Sequence, residues 1–286
     1  MNYYHVDVFA KTPFAGNGLT VVFPDADLPD AILLAITREF KQFETIFLYP
    51  SAEQDAHPAR IFTVDEELPF AGHPVIGAGA VLHSLYHGGS ESASFALAIG
   101  DRRVPVRSVC TDGRYRVTMD QGDASFIRTI DAAAAPALAS ALSLNREDIN
   151  PDWPMEVVST GLRYLLVPVR SGLENCRIRH DDFTSFLESH DAQFVYVFDT
   201  ETLECRTWGN IDHAEDIATG SAAGPLAAYL VKHGKAQPDE TIAIRQGRFV
   251  HRPSVIQAQV AATAGNTLTV SIAGYVTFFA SGTLTL

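Results

Sequence analysis

The sequence predicts an α+β protein of two pseudo-symmetric lobes, each a curved, barrel-like and mainly antiparallel sheet around a central helix. Three observations carry that reading. Short strand patterns outnumber helical ones along the whole chain. Two helical stretches are apolar or small on every face, and such helices have to be enclosed. The chain also echoes itself. Arg60-Ile61-Phe62, a polar loop, Gly72-His73 and a small-residue helix ending Leu82-His83 recur as Arg206-Thr207-Trp208, an acidic loop, Gly220-Ser221 and a helix ending Leu230-Val231-Lys232-His233. The Arg-to-Gly separations are 12 and 14 residues. The repeat sets an N-terminal lobe at 1–125, which a strand near 275–286 can complete, and a C-terminal lobe at 126–274.

Tyr3–Phe9 alternates as a strand, so the first ten residues read as sheet rather than as a signal peptide. Gly16-Asn17-Gly18 marks a turn before a strand at Leu19–Phe23. Asp27–Lys41 reads as a helix capped by Asp27, with Pro29 in its first turn and Ile32, Leu33, Ile36 and Phe40 as its apolar stripe. Strands follow at Phe43–Leu48 and Arg60–Val64, then a solvated loop at Asp65–Pro69. Pro74–Leu85 is the first enclosed helix; its glycines each forfeit about 1 kcal/mol of propensity, a loss that close approach of surrounding strands would offset. Strands are expected at Ser94–Ala98, Arg103–Val109 and Tyr115–Met119, and a helix at Ala132–Leu142. Further strands fall at Glu156–Val158, Tyr164–Val169, Phe194–Phe198 and Glu204–Trp208. After the loop 209–217 comes the second enclosed helix, Gly220–His233. Strands at Thr241–Arg245, Val255–Val260, Thr267–Ile272 and Val276–Phe279 end the chain.

With 286 residues, 47% hydrophobic and 19% charged, the chain can build a full core without disulfide staples. Its net charge of −13 and lack of any Lys/Arg cluster disfavour nucleic acid as a partner. No apolar run reaches the roughly 18–20 residues that span a bilayer, so no membrane association is expected. Cys110, Cys176 and Cys205 are odd in number and far apart, which fits reduced thiols in a cytoplasmic protein. His83 and His87 are spaced like metal ligands, but no third ligand completes a set, and they read as exposed helix-end residues; no metal is expected. No dinucleotide fingerprint precedes the glycines of the first enclosed helix, so no cofactor is expected either.

The chemistry is expected at the two glycine-led helix starts. First-turn N–H groups lack intrahelical partners and carry the positive end of the helix dipole. Gly72 and Gly220 allow a ligand close to the backbone, and His73 and Ser221 add side-chain donors. Two such ends facing one another would grip a carboxylate or an enolate oxygen. Glu44, in the apolar run Phe43-Glu44-Thr45-Ile46-Phe47, would lose solvation and shift towards the pKa of a proton shuttle. Asp216 either orients the substrate or acts as a second acid/base. Ser221 lacks the Gly-x-Ser-x-Gly elbow of a hydrolase.

At these residues the sequence resembles the phenazine-biosynthesis isomerase (PhzF-like) family, related in fold to diaminopimelate epimerase and proline racemase. The resembling blocks run nearly end to end: Val8-Phe9 with Gly16-Asn17, Glu44-Thr45-x-Phe47, Arg60-x-Phe62-Thr63 through Glu67-Leu68-Pro69-Phe70-Ala71-Gly72-His73-Pro74, Glu215-Asp216-x-Ala218-Thr219-Gly220-Ser221-Ala222, and Gln246-Gly247 with Arg252-Pro253-Ser254. The resemblance implies Glu44 as the proton-shuttling carboxylate, Gly72 and His73 as contacts on one side of a cleft, and Asp216, Gly220 and Ser221 on the other. It also implies no cofactor and a homodimer. Relatives with two-thiol chemistry carry Cys at both helix starts; this chain has none there. Gly18, Phe43, Val64 and His251 depart from common family residues, and a bulky Phe43 beside the base argues against carrying over the phenazine precursor as substrate. The expected function is a cofactor-independent isomerase or epimerase moving a proton on a small carboxylate-bearing metabolite. The alternative is a non-catalytic small-acid or partner-binding protein on the same fold.

Overall fold

The computed structural model describes residues 1–51, 56–263, 265 and 267–286. The chain forms two units, one of Met1–Asp120 with Ala273–Leu286 and one of Gln121–Ile272.

In the first unit β1 (Asn2–Val8) and β2 (Asn17–Phe23) form an antiparallel pair. Helix α1 (Asp30–Phe40) crosses to β3 (Glu44–Leu48), parallel to β2, and β4 (Ala56–Phe62) runs antiparallel to β3. The short β5 (Glu67–Leu68) folds back on β4 inside the stretch expected to be loop. Helix α2 (Gly72–Tyr86) then crosses to β6 (Ser92–Ile99), parallel to β4, and β7 (Arg102–Thr111) and β8 (Arg114–Asp123) follow antiparallel.

In the second unit β9 (Ser125–Thr129) and helix α3 (Ala135–Ala141) lead to β10 (Glu156–Ser159) and β11 (Arg163–Val169). Helix α4 (Phe183–Glu188) crosses to β12 (Phe194–Asp199), and after β13 (Glu204–Arg206) helix α5 (Gly220–Lys232) crosses to β14 (Ile242–Gln246). The last strands are β15 (Ser254–Ala262) and β16 (Leu268–Thr283).

The two units repeat one pairing pattern. From β1 to β7 the pairs alternate antiparallel, parallel, antiparallel, parallel, antiparallel, and β10 to β15 do the same. Parallel neighbours cannot be joined by a hairpin, so each parallel pair carries a helical crossover. The first crossover helix of each unit lies on an outer apolar layer. Leu33 and Ile36 of α1 cover Val22, Phe47 and Phe62, while Phe183 and Leu187 of α4 join a larger layer with α3. The second crossover helix is enclosed: α2 is buried from Gly72 to His83, and α5 from Ala222 to Leu230. The segment of β16 from Val276 pairs with β1 and closes the ring β1-β2-β3-β4-β6-β7-β8-β16. In the second unit the order is β16-β15-β14-β13-β12-β11-β10-β9, and Ala124 N donates to Leu268 O at 2.8 Å.

Packing explains the glycines of α2. A Cβ on Gly77 would lie 2.3 Å from Leu19 Cδ2 and 3.0 Å from Val8 Cγ2; one on Gly79 would lie 2.7 Å from Val117 Cγ1. Helix propensity alone favours alanine at such positions by about 1 kcal/mol. Overpacking reverses the sign, so Gly77→Ala is expected to destabilise by about 1–3 kcal/mol in denaturant titration. A gain in stability would mean the strands yield freely.

Several expected elements are corrected by the structure. Asp27 does not cap α1, which starts at Asp30 behind Pro29. Ile32, assigned to the apolar stripe, is 37% exposed. His83 is not an exposed helix-end residue: it is fully buried, with Nδ1 2.7 Å from Ser108 Oγ and Nε2 3.1 Å from Ser90 O. β13 stops at Arg206, short of Trp208, and the two last strands are one continuous β16.

Candidate active site

In the first unit, Lys41 ends α1 in the left-handed region with φ 54°, and Glu44 becomes the first residue of β3, in register with Leu19 of β2. Alternation along β3 sends Ile46, Leu48 and Glu44 to one face, and Phe47 to the other, where it packs under α1. The Glu44 side chain is 18% exposed and its Oε2 stands 3.1 Å from His73 Nε2. The approach is not aligned as a hydrogen bond, and Nε2 has no hydrogen-bond partner among the described residues.

Burial lowers the His73 pKa to about 3. The imidazole is therefore neutral, and the pair is a carboxyl group beside an uncharged ring rather than an ion pair. The start of α2 adds to this. Its N-cap is Ala71, no side chain caps it and its first turn holds no acid. Pro74 has no N–H, which leaves the amides of Gly72 and His73 as first-turn donors, at the positive end of the helix.

A measurable pH dependence follows. An unfolded histidine takes a proton near pH 6.5, whereas folded His73 refuses it until about pH 3. Stability contributed in this way is complete above 6.5 and is lost on acidification, by up to about 1.4 kcal/mol per pH unit between those values. Removing the titrating ring by His73→Asn should flatten that part of the stability–pH curve. Parallel curves for the two proteins would contradict the neutral assignment.

In the second unit, the residues before α5 are held by β14. Gln246, 1% exposed, accepts from Thr219 N at 3.1 Å and from Tyr196 Oη at 3.0 Å, and donates from Nε2 to Asp216 O and to Thr219 Oγ1, both at 2.9 Å. Thr219 Oγ1 lies 2.5 Å from Asp216 Oδ2. Ser221, the second residue of α5, is bonded to Tyr164 Oη at 2.7 Å, and Gln121 Nε2 donates to Gly220 O at 2.9 Å. Among the described residues the Ser221 hydroxyl meets a phenol, where a serine nucleophile is ordinarily activated by a histidine or carboxylate base. The structure brings Glu44, Gly72 and His73 together in one unit and Asp216, Gly220 and Ser221 together in the other.

Sequence reasoning missed what braces the two loops. Arg60 forms a fork with both oxygens of Glu67 and reaches Asp30 at 2.8 Å, so Glu67 is not merely a solvated loop acid. Arg206 forms the matching fork with Glu215, at 2.9 and 2.5 Å. Each guanidinium lies 5.0 Å from the aromatic ring two residues on, Phe62 and Trp208. Each glutamate stands five residues before the glycine that begins its helix. The signal was present in the Arg-x-aromatic echo and was read only as a repeat.

Burial holds the Cys176 thiol up at about 12, and Cys205 is raised by the same cause, so neither forms a thiolate readily. Among the described residues no group of three His, Cys, Asp or Glu side chains could hold a metal ion. No helix among them is long and apolar enough to cross a membrane.

Comparison with known proteins gives a consistent picture. The family model described as phenazine biosynthesis-like protein matches residues 6–282. A solved structure described as a predicted epimerase from Pseudomonas aeruginosa is 44% identical, with a TM-score of 0.90 over 99% of this chain and 98% of its own. The trans-2,3-dihydro-3-hydroxyanthranilate isomerase of Pseudomonas fluorescens is 30% identical, covering 100% of this chain and 99% of its own length. A probable proline racemase from Agrobacterium radiobacter, 14% identical with a TM-score of 0.64 over 100% of this chain and 93% of its own, shares the fold.

Proposed function

The chain belongs to the phenazine biosynthesis-like protein family and is an isomerase, and from that premise we propose that it moves a proton on a small carboxylate-bearing metabolite with Glu44 as the acid/base. The observation that carries this is the half-buried Glu44 carboxyl 3.1 Å from a neutral, fully buried His73. A carboxylate there takes a proton from a carbon beside the substrate's carboxyl group. The electron pair left behind spreads onto oxygen as an enolate-like charge, and Glu44 returns the proton to another carbon or to the opposite face. Atoms and charge balance without an oxidant or a leaving group.

The amides that begin α2, beside Glu44, are suited to hold the charge as it develops, each such donor being worth about 3–4 kcal/mol when aimed at it. A neutral His73 donates to an anion, or accepts from a neutral substrate, without quenching Glu44 by ion pairing. In the second unit, Asp216 and Ser221 offer a ligand an acceptor and a hydroxyl. The reading further includes catalysis without metal or organic cofactor, a cytoplasmic location and a homodimer.

Incubating the protein in deuterated water with a panel of small amino and hydroxy acids tests the proposal, mass spectrometry counting solvent hydrogen gained on carbon. At least one acid is expected to gain a carbon-bound deuteron. Binding without exchange by every acid that binds would instead identify a small-acid-binding protein on this fold.

A further inference from the structure

A threonine at the N-cap ordinarily turns its hydroxyl back to accept from the second or third amide of the helix. Thr219 occupies the N-cap of α5 and does not do so. Its carbonyl accepts from Ala222 N and Ala223 N as a cap residue should, but its hydroxyl is engaged elsewhere.

Hydrogen-bond direction shows where. Thr219 N–H can only donate, so the Gln246 atom facing it at 3.1 Å is the amide oxygen, and Tyr196 Oη must donate to that same oxygen. Gln246 Nε2 is then fixed opposite, where it donates to Asp216 O and to Thr219 Oγ1. Having accepted from Nε2, Thr219 Oγ1 has one proton of its own, and it points along the 2.5 Å line to Asp216 Oδ2. Tyr196 is completely buried, Gln246 1% exposed and Thr219 9%, so this directional chain is sheltered from competing water.

We infer that Gln246, itself braced by Tyr196, is a positioning residue that withholds the Thr219 hydroxyl from capping α5 and keeps Asp216 a hydrogen-bond acceptor. The inference rests on the proposed function and decides the role left open for Asp216. A carboxylate receiving the Thr219 proton on Oδ2 acts as an acceptor and not as an acid, and holds an N–H or O–H donor of a ligand. Of the two α5 amides that the Thr219 hydroxyl could cap, Ala222 N already donates to Thr219 O, and that of Ser221 is left for an acidic group.

Two measurements test this. A neutron structure of the whole deuterium-exchanged protein should place two deuterons on Gln246 Nε2 and the Thr219 deuteron between Oγ1 and Asp216 Oδ2. A deuteron bonded to Asp216, or a Thr219 hydroxyl turned to the α5 amides, overturns the inference and leaves the role of Glu44 untouched. In solution, binding of the panel acids to the whole protein is read by calorimetry. Thr219→Ser should bind each acid within about 3-fold of wild type, while Thr219→Val and Gln246→Leu weaken binding about 10-fold or more, in line with a lost bond to a charged group. Because ligands are scored by binding, the result stands even for an acid that exchanges no hydrogen. Equal affinity in Thr219→Val and wild type, with circular dichroism unchanged in both, overturns the inference. Should Gln246→Leu fail to fold, Thr219→Val against Thr219→Ser still decides it.

Discussion

Glu44→Gln is expected to abolish transfer of solvent deuterium to substrate carbon, by at least about 10²–10⁴-fold, while leaving ligand affinity nearly unchanged. Glutamine keeps the size and polarity of the side chain but cannot accept a proton at physiological pH, so the substitution isolates proton transfer from shape. The amide keeps a polar atom beside His73 Nε2, a ring nitrogen that is neutral rather than cationic, so that contact is not an ion pair to be broken. The informative comparison is kinetic. A fall in exchange rate with unchanged binding assigns Glu44 to the chemical step, whereas a parallel loss of both would make it a binding residue. A variant that exchanges at the wild-type rate would remove Glu44 from the chemistry altogether.

The second large effect concerns the arginine forks. Arg206→Met is expected to destabilise the protein by about 3–5 kcal/mol, because it leaves the carboxylate of Glu215, 10% exposed, buried without its partner. The 2%-exposed Arg206 side chain also donates to Leu173 O at 2.8 Å and Glu174 O at 3.2 Å, and those carbonyls lose their donor as well. The equivalent Arg60→Met should cost no more than about 1 kcal/mol: Arg60 is 26% exposed, and its partners Glu67 and Asp30 are 41% and 71% exposed. Matching forks thus separate by burial, together with the two carbonyls that Arg206 also holds. Denaturant midpoints for the two variants measure the difference, and combining Arg206→Met with Glu215→Leu should recover much of the loss. Equal costs at both positions would show that the second fork is solvated despite its depth.

The repeat and the two enclosed helices were legible because each leaves a local mark, an unbroken apolar face or a glycine at a helix start; Glu44, His73, Asp216 and Ser221 stand out as candidates by marks of the same kind, such as an acid in an apolar run. What escaped notice is written across long separations. Gln246 lies 27 residues from Thr219 in the chain, and nothing near it in sequence says that both ends of its amide are spoken for. Tyr196 and Tyr164 read as ordinary strand aromatics, which in their packing they are. The helix α4 has six residues, too few for a period to show, and β9 is short with four of five positions exposed. Gly274 lies between the strands expected at Thr267–Ile272 and Val276–Phe279 but does not separate them. It is instead extended inside β16, where the missing side chain makes room for the ring of Phe9, 2.3 Å from where a Cβ would stand. Glycine marked a close approach there rather than a turn.

The lending of residues 273–286 to the first unit fixes the order in which a ribosome can deliver this molecule. The stretch 121–272 is continuous in the chain and is synthesised before the segment 273–286 that the first unit needs. The first unit cannot shut until the final strand arrives, since Val8 waits for Val276 and Asn2 for Thr283, and the amino terminus itself donates to Leu284 O at 3.2 Å. Until then the free rim of β1 is an open invitation to neighbouring nascent chains. Polypeptides stopped short of that strand should therefore clump during expression, however sound the rest of their sequence.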